Sequence, residues 1–183
     1  MLVLSPLFFV LAVWIKCDSK GPVFYRQVRV GRNNRDFRLY KFRSMRVGSD
    51  KKGLITIGGH DPRVTRSGYY IRRYKLDELP QLINVFAGNM SLVGPRPEVR
   101  KYVDLYTPEQ MHVLDVRPGI TDLASIRYRN ENELLEQADD PDRYYVDVIM
   151  QDKLRINLEY VADHSFLKDI KLIGMTFRAI VSK

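Results

Sequence analysis

The chain has 183 residues, enough for one domain with a real core and too few for two of ordinary size. Its formal net charge of +8 favours anionic partners, whether nucleic acid, an acidic membrane surface or a phosphorylated substrate; a single cysteine, Cys17, excludes an internal disulfide framework and fits a reducing compartment. His60, His112 and His164 stand apart, so no zinc-type spacing exists, and the chain contains neither a dinucleotide-binding glycine fingerprint nor a phosphate loop.

From Met1 to Ile15 the chain is apolar except for Ser5, and Lys16 ends the run. As a helix this stretch measures roughly 22 Å against a hydrocarbon core of roughly 30 Å, too short to span a bilayer alone. It has neither the charged leader nor the cleavage site of a secretory signal. A buried core helix, a piece of a longer membrane helix, and a helix that enters one leaflet and returns all fit the pattern. Ser5-Pro6 favours the last, because proline can bend a helix and the serine hydroxyl can satisfy a freed carbonyl. Gly21-Pro22 breaks the helix, and Val23 to Val30 and Phe37 to Met45 read as two strands joined by a turn at Gly31 to Asn34. The second strand interleaves Arg38, Lys41 and Arg43 with Leu39, Tyr40 and Phe42. That is either a solvated basic face or a surface for nucleic acid, without a recognisable RNA-binding signature. Gly48 to Pro62 reads as a loop.

Arg66 to Lys75 forms a helical approach to the most informative stretch, Tyr74 to Glu98. Leu79, Leu82, Ile83 and Phe86 recur at helical spacing, so a short helix is expected from Glu78 to Phe86, with Asp77 at its N-cap, Pro80 in the first turn and Gly88 past its end. Asp77 and Glu78 then have two readings. They cap the helix and complement its dipole, or they hold a divalent metal beside a phosphate. The second is supported by the surrounding cations: Arg63, Arg66, Arg72, Arg73 and Lys75 before the pair, Arg96, Arg100 and Lys101 after it. Neighbours on a helix point apart, so the two cannot share one proton, but they can share a metal or divide into nucleophile and ligand. In Gly94-Pro95-Arg96-Pro97, two prolines fix the backbone around an arginine whose fork suits phosphate oxygens, although pairing with Glu98 is equally open to it.

Thr107-Pro108-Glu109-Gln110 has capping-box spacing and predicts a helix ending near Asp115, followed by a rigid turn at Arg117 to Thr121. Arg127 and Arg129 form a basic patch, Glu131 to Asp140 an acidic solvated helix, and Pro141 opens a long helix to about Val161. The last helix, Phe166 to Val181, places Phe166, Ile170, Ile173, Phe177 and Ile180 on one face with Lys168, Lys171 and Arg178 elsewhere. Packing on the core would give such a pattern; beside the apolar N-terminal run, a membrane-surface element is preferred.

Taken together, several strings resemble one family. They are Ser5-Pro6, Gly21-Pro22-Val23-Phe24, Lys41-Phe42-Arg43-Ser44-Met45, Asp61-Pro62-Arg63, Leu76-Asp77-Glu78-Leu79-Pro80-Gln81, Ser91 to Pro97 and Arg117 to Thr121. In this order they cover nearly the whole chain and resemble the bacterial sugar transferases called monotopic phosphoglycosyl transferases. The resemblance implies an α+β, predominantly helical domain over 1–183, with a re-entrant membrane segment at 1–18, a small β-hairpin and amphipathic interfacial helices around an Asp-Glu site. It implies an enzyme on the cytoplasmic face of the bacterial inner membrane that moves a sugar phosphate from a UDP-sugar to polyprenyl phosphate, releasing UMP and initiating surface-glycan assembly. By the same resemblance Asp77 is the nucleophile, Glu78 and Asp77 hold Mg²⁺, and Ser5 and Pro6 form the membrane kink. Arg96, with Lys41, Arg43, Arg72 and Arg117, would bind phosphate. Membrane phospholipids are expected partners, nucleic acid is not, and a homodimer is compatible. Only four residues precede Ser5, fewer than family members usually carry, and Asp122 stands where the family often has glycine. Apart from the resemblance, a nucleic-acid-binding module and a metal-dependent phosphohydrolase remain the competing readings.

Overall fold

The computed structural model describes residues 4–49, 53, 55 and 61–181. Helix α1 (Ser5–Asp18) leads into strands β1 (Phe24–Val30) and β2 (Asp36–Phe42), which pair antiparallel from Phe24 opposite Phe42 to Val30 opposite Asp36. The turn between them uses Asn33 and Asn34 at φ 56° and 58°, a left-handed conformation that asparagine tolerates better than most residues. Helix α2 (Arg66–Arg73) follows, capped by the Thr65 hydroxyl on the Gly68 N–H at 3.0 Å. A single 3₁₀ turn at Leu76–Glu78 precedes helix α3 (Gln81–Phe86). Gly88, at φ 77°, ends it as its position predicts.

Strands β3 (Ser91–Val93) and β4 (Gly119–Thr121) form a second, parallel pair, with helix α4 (Arg100–Val103) and a 3₁₀ helix at Gln110–Asp115 between them. The capping box is made reciprocally: Gln110 N–H donates to Thr107 Oγ1 at 3.3 Å and Gln110 Oε1 accepts from Thr107 N–H at 3.0 Å. It opens a 3₁₀ helix, however, rather than an α-helix. Helices α5 (Leu123–Arg127) and α6 (Glu131–Glu136) lead to a long helical run of α7 (Pro141–Tyr144), a π turn (Tyr145–Ile149) and α8 (Met150–Ala162). Helix α9 (Phe166–Val181) closes the described chain with the predicted bounds. The described residues thus form a mainly helical α and β mixture with two small sheets.

Two apolar clusters organise it. Leu11 and Ile15 of α1 pack with Phe42 and Ile71, joined by Leu76 and Leu79 from either side of the Asp-Glu pair. Burying the flanking leucines there fixes the turn that carries the carboxylates. The larger cluster gathers Val99, Tyr102, Val113, Leu135, Tyr145, Ile149, Met150 and Leu154. Each large apolar side chain fully buried contributes roughly 1.5–3 kcal/mol.

No helix among the described residues is long and apolar enough to cross a membrane. Pro6 lies in the first turn of α1, where its missing N–H has no helical partner to lose, so α1 is one uninterrupted helix from Ser5 onward. Phe9, Val10, Val13 and Trp14 of α1 are exposed, as are Phe166, Leu167, Ile170, Phe177 and Val181 of α9. Leu172 and Thr176 dock α9 instead, Leu172 being buried and Thr176 sharing a 2.6 Å hydroxyl contact with Thr121. The loop read at Gly48 to Pro62, and His60 within it, lie largely outside the described residues. Within its described part, Arg63 donates to the Gly53 carbonyl at 2.8 Å and the Ile55 carbonyl at 2.7 Å.

Candidate active site

The chain reaches the Asp-Glu pair through Lys75, which adopts the left-handed conformation at φ 56°, ψ 20°. A residue with a Cβ pays for that in steric strain of about 1 kcal/mol or more, and such outliers cluster where the surrounding structure must aim functional groups. Asp77 does not cap a helix, contrary to the sequence reading. Pro80 takes the N-cap position of α3, and Asp77 sits within the 3₁₀ turn. The physical reason is the proline, which fixes where the α-helix can start and leaves Leu76–Glu78 outside it.

Freed from capping, Asp77 is buried, at 8% exposure, and its Oδ1 has no hydrogen-bond partner among the described residues. Glu78 is fully engaged. Arg96 donates Nη1 to Glu78 Oε2 at 3.1 Å and Nη2 to Oε1, and Lys41 Nζ lies 3.3 Å from Oε1. These contacts separate the two carboxyls. Burial and the neighbouring Glu78 charge push Asp77 above its ordinary value, with Lys41, Arg72 and Lys75 opposing. Burial would push Glu78 up as well, but the Arg96 guanidinium and the Lys41 ammonium hold it well below the usual carboxylate range. Burial brings Lys41 down to about 8 against the attraction of Glu78. Adjacent carboxyls driven apart in this way have different tasks open to them: one a permanent counter-charge, the other a poorly solvated and more reactive oxygen.

Three placements bring these groups together. The amide of Asn84, 1% exposed on α3, accepts from the Tyr40 N–H at 3.0 Å and donates to the Arg38 carbonyl at 2.8 Å, tying α3 to the edge of β2 beside Lys41. The Pro-Arg-Pro turn is held by β4, with Gly94 N–H on the Thr121 carbonyl at 3.1 Å and Gly119 N–H on the Pro95 carbonyl at 3.0 Å. Glu98 anchors its far side, accepting from Arg29 at 3.0 Å and from the Tyr145 hydroxyl at 2.5 Å. Glu98 therefore pairs with Arg29, leaving Arg96 for Glu78. Neither Asn84 nor Tyr145 was found from the sequence: each owes its place to partners far away in the chain.

Of the residues singled out in the sequence, the structure joins Glu78, Lys41 and Arg96 by direct contacts, with Asp77 beside Glu78 in the chain and Lys41 and Arg72 near enough for their charges to act on it. Arg43 goes elsewhere. It is 4% exposed and donates to the carbonyls of Ile15 (3.2 Å), Ser19 (2.6 Å) and Lys20 (2.7 Å), closing the C-terminal end of α1. With Lys41 turned to Glu78 and Arg43 to α1, the strand's basic residues do not present one continuous face. Arg117 is exposed and serves through its backbone, its carbonyl oxygen packing where a Cβ on Gly94 would stand only 2.5 Å away. Ser5 and Pro6 lie at the head of α1, away from the pair in the chain and in another element.

The donor set suits a hard divalent cation. Magnesium takes oxygen ligands and commonly uses only one or two carboxylates, with phosphate and water supplying the rest, and Asp77 Oδ1 is a buried oxygen lacking a partner. No cluster of three or more potential ligating side chains occurs among the described residues, so an all-protein cage is not what is on offer.

The chain belongs to the bacterial sugar transferase family, whose model matches residues 1–183. It is 40% identical over 181 residues to a UDP-N-acetylgalactosamine-undecaprenyl-phosphate N-acetylgalactosaminephosphotransferase of Aeromonas hydrophila, covering 97% of this chain and 40% of that protein. It is 37% identical over 188 residues to the UDP-glucose:undecaprenyl-phosphate glucose-1-phosphate transferase of Escherichia coli (strain K12), covering 100% of this chain and 38% of that protein. Identity to the exopolysaccharide production protein PSS of Rhizobium leguminosarum bv. phaseoli is 38% over 190 residues, covering 100% of this chain and 88% of that protein. The chain thus spans about two fifths of the length of the first two relatives.

Proposed function

We propose that this chain transfers a sugar phosphate from a UDP-sugar to polyprenyl phosphate at the cytoplasmic face of the bacterial inner membrane, the opening step of a surface glycan. The observation that carries the reading is the pairing of a buried, unpartnered Asp77 oxygen with a Glu78 carboxylate already neutralised by Arg96 and Lys41. Attack on a diphosphate by a carboxylate opposes two anions, and fixed cations aimed at the reacting phosphate lower that barrier. Asp77 bonds to the β-phosphorus, the bridging P–O bond breaks, and UMP leaves with the electron pair. The phosphosugar then rests on Asp77 as an acyl phosphate. A polyprenyl phosphate oxygen next attacks the same phosphorus, forming the lipid diphosphate sugar and restoring the carboxylate. Arg96, Lys41 and Arg72 orient phosphate oxygens during both displacements. Asp77 and Glu78 are the residues that would hold Mg²⁺, whose chemistry when bound is to offset the charge of the diphosphate.

The exposed apolar faces of α1 and α9 support attachment to a lipid surface, with α1, about 21 Å long, entering a single leaflet. Covalent catalysis suits that position, because the water-soluble donor leaves before the lipid acceptor arrives. The test is to incubate the membrane-bound protein with a panel of UDP-sugars and Mg²⁺, with and without polyprenyl phosphate, following UMP and the intact protein mass. A phosphosugar adduct on Asp77, lost on adding the lipid and absent in Asp77→Asn, is expected. Turnover with no adduct in a trapped sample would overturn the covalent route, and equal donor consumption without the lipid would make the protein a hydrolase.

A further inference from the structure

Arg96 borders a cavity of mixed polar and apolar lining that the proposed chemistry does not use. Asp122, Ser125, Lys153 and Asn157 line it together with Arg96, around a volume of about 50 Å³, enough for a few water molecules. Asn157 is 7% exposed and its Oδ1 has no hydrogen-bond partner among the described residues, so a buried acceptor of this pocket needs a donor within it.

Asp122 is buried more deeply still, at 2% exposure. It caps α5, accepting from Ser125 N–H on Oδ1 at 2.8 Å and from Ser125 Oγ on Oδ2 at 2.6 Å. A cap requires no charge, since asparagine and serine do the same work about as well, and burying a carboxylate is unfavourable. The reason for a carboxylate here lies in where β4 delivers it. Asp122 is the residue after Thr121, whose carbonyl receives the Gly94 N–H, and β4 is also bonded to the Pro95 carbonyl. Asp122 is thereby brought beside the turn that carries Arg96. The two bonds from Ser125 do most to offset its burial, and the charges of Arg96 and then Lys153 add to them; Lys153 is already paired with Glu131. Asp122 in turn is among the anions that stabilise the Arg96 guanidinium.

We propose that Asp122 is a positioning residue for Arg96, holding the guanidinium from the cavity side, directly or through water, when Glu78 releases it to an incoming diphosphate. In the resting site both arms of Arg96 lie on Glu78. A phosphate must draw part of that fork away, and a guanidinium restrained by one partner alone would swing with it. A second, buried anion fixes the pivot, and keeps the fork where charge develops in the reaction.

Asp122→Asn and Asp122→Ser both retain an N-cap for α5 while removing the charge, so a merely structural role leaves either variant unchanged. The first readout is independent of turnover: the Arg96 Nε–H signal in the NMR spectrum of the full chain, assigned by its loss in Arg96→Lys. In both Asp122 variants this signal should shift and exchange faster with water, with melting close to wild type. An unchanged signal in both overturns the proposal. The second readout rests on the transferase reading. kcat should fall roughly ten- to a hundred-fold with little change in donor KM, and the loss should vanish in an Arg96→Lys background. Additive losses would also overturn it. A wild-type chain that turns over no UDP-sugar would sink the transferase reading while leaving the NMR result to decide the role of Asp122.

Discussion

Arg96 holds Glu78 by both carboxylate oxygens, Nη1 on Oε2 at 3.1 Å and Nη2 on Oε1, so the residue next to Asp77 is neutralised before any substrate is bound. The match is of a planar fork to a planar carboxylate, and Lys41 adds a point charge from β2 at 3.3 Å. Arg96→Lys keeps the charge and loses the fork. Sugar-phosphate transfer should fall roughly a hundred-fold, with thermal melting little altered, because Arg96 belongs to neither apolar cluster. Steady-state rates with UDP-sugar and polyprenyl phosphate check this. Turnover within about twofold of wild type would mean that charge alone is enough at this position.

Arg43 gives the opposite expectation, although it too looks like a phosphate ligand in the sequence. Its guanidinium serves three carbonyls at the end of α1 and the Ser19 hydroxyl at 2.9 Å. Charge-assisted bonds of this kind contribute roughly 1.5–3 kcal/mol when a buried partner is otherwise left unsatisfied. Arg43→Lys should therefore lower the melting temperature by several degrees and leave donor KM within about twofold. A large rise in KM at unchanged melting would return Arg43 to the substrate.

Why the chain announced neither arginine's partner lies in the range of the interactions. Helix α9, the hairpin, the Thr107 to Gln110 capping box and the proline at the start of α7 were legible because each depends on residues a few positions apart. The Asp-Glu pair and the Pro-Arg-Pro turn stand out in the sequence through residue type and surrounding charge, and the structure brings Glu78 and Arg96 into contact. Their local geometry was not legible. Lys75 takes a left-handed conformation with neither glycine nor asparagine to announce it, and Pro80 moves the helix start past the pair. The parallel pairing of Ser91–Val93 with Gly119–Thr121 joins two three-residue strands, too short for alternation to show. Asp122, Asn84 and Glu98 owe their partners to that pairing and to other long-range contacts, which no local pattern encodes.

Gly68 shows how far tertiary packing overrides local preference. Alanine in a helix is ordinarily favoured over glycine by about 1 kcal/mol. A Cβ on Gly68, however, would stand 1.9 Å from the Ser44 carbonyl oxygen and 2.6 Å from its carbon, both backbone atoms that cannot rotate away. Gly68→Ala should thus destabilise by about 2 kcal/mol or more, measured by denaturant unfolding, as α2 is pushed off the end of the hairpin. Gly88→Ala is the contrast. Apart from its chain neighbours, none of the described residues comes within 4 Å of its added Cβ, and only the positive φ of 77° opposes it, so the loss should stay near about 1 kcal/mol. Equal losses in the two variants would contradict the close approach of α2 to Ser44.

Asp61 supplies a prediction in pH. Its Oδ1 accepts from the backbone and Nε of Arg63, each at 2.9 Å, and Oδ2 accepts from Nη2 at 2.6 Å. The bonds from Arg63, opposed by burial, hold the carboxyl below its ordinary 3.8. A folded value below the unfolded one means that the carboxylate's contribution is complete above the unfolded value and is lost as pH falls through the folded one. Arg63 also carries the carbonyls of Gly53 and Ile55, so releasing it loosens that loop. Asp61→Asn should melt below wild type at pH 7, and the gap should close as pH is lowered from about 4 towards about 2. Melting curves of both proteins across that window decide it: a gap that persists unchanged at the acid end would show that the ionised carboxyl contributes nothing through Arg63.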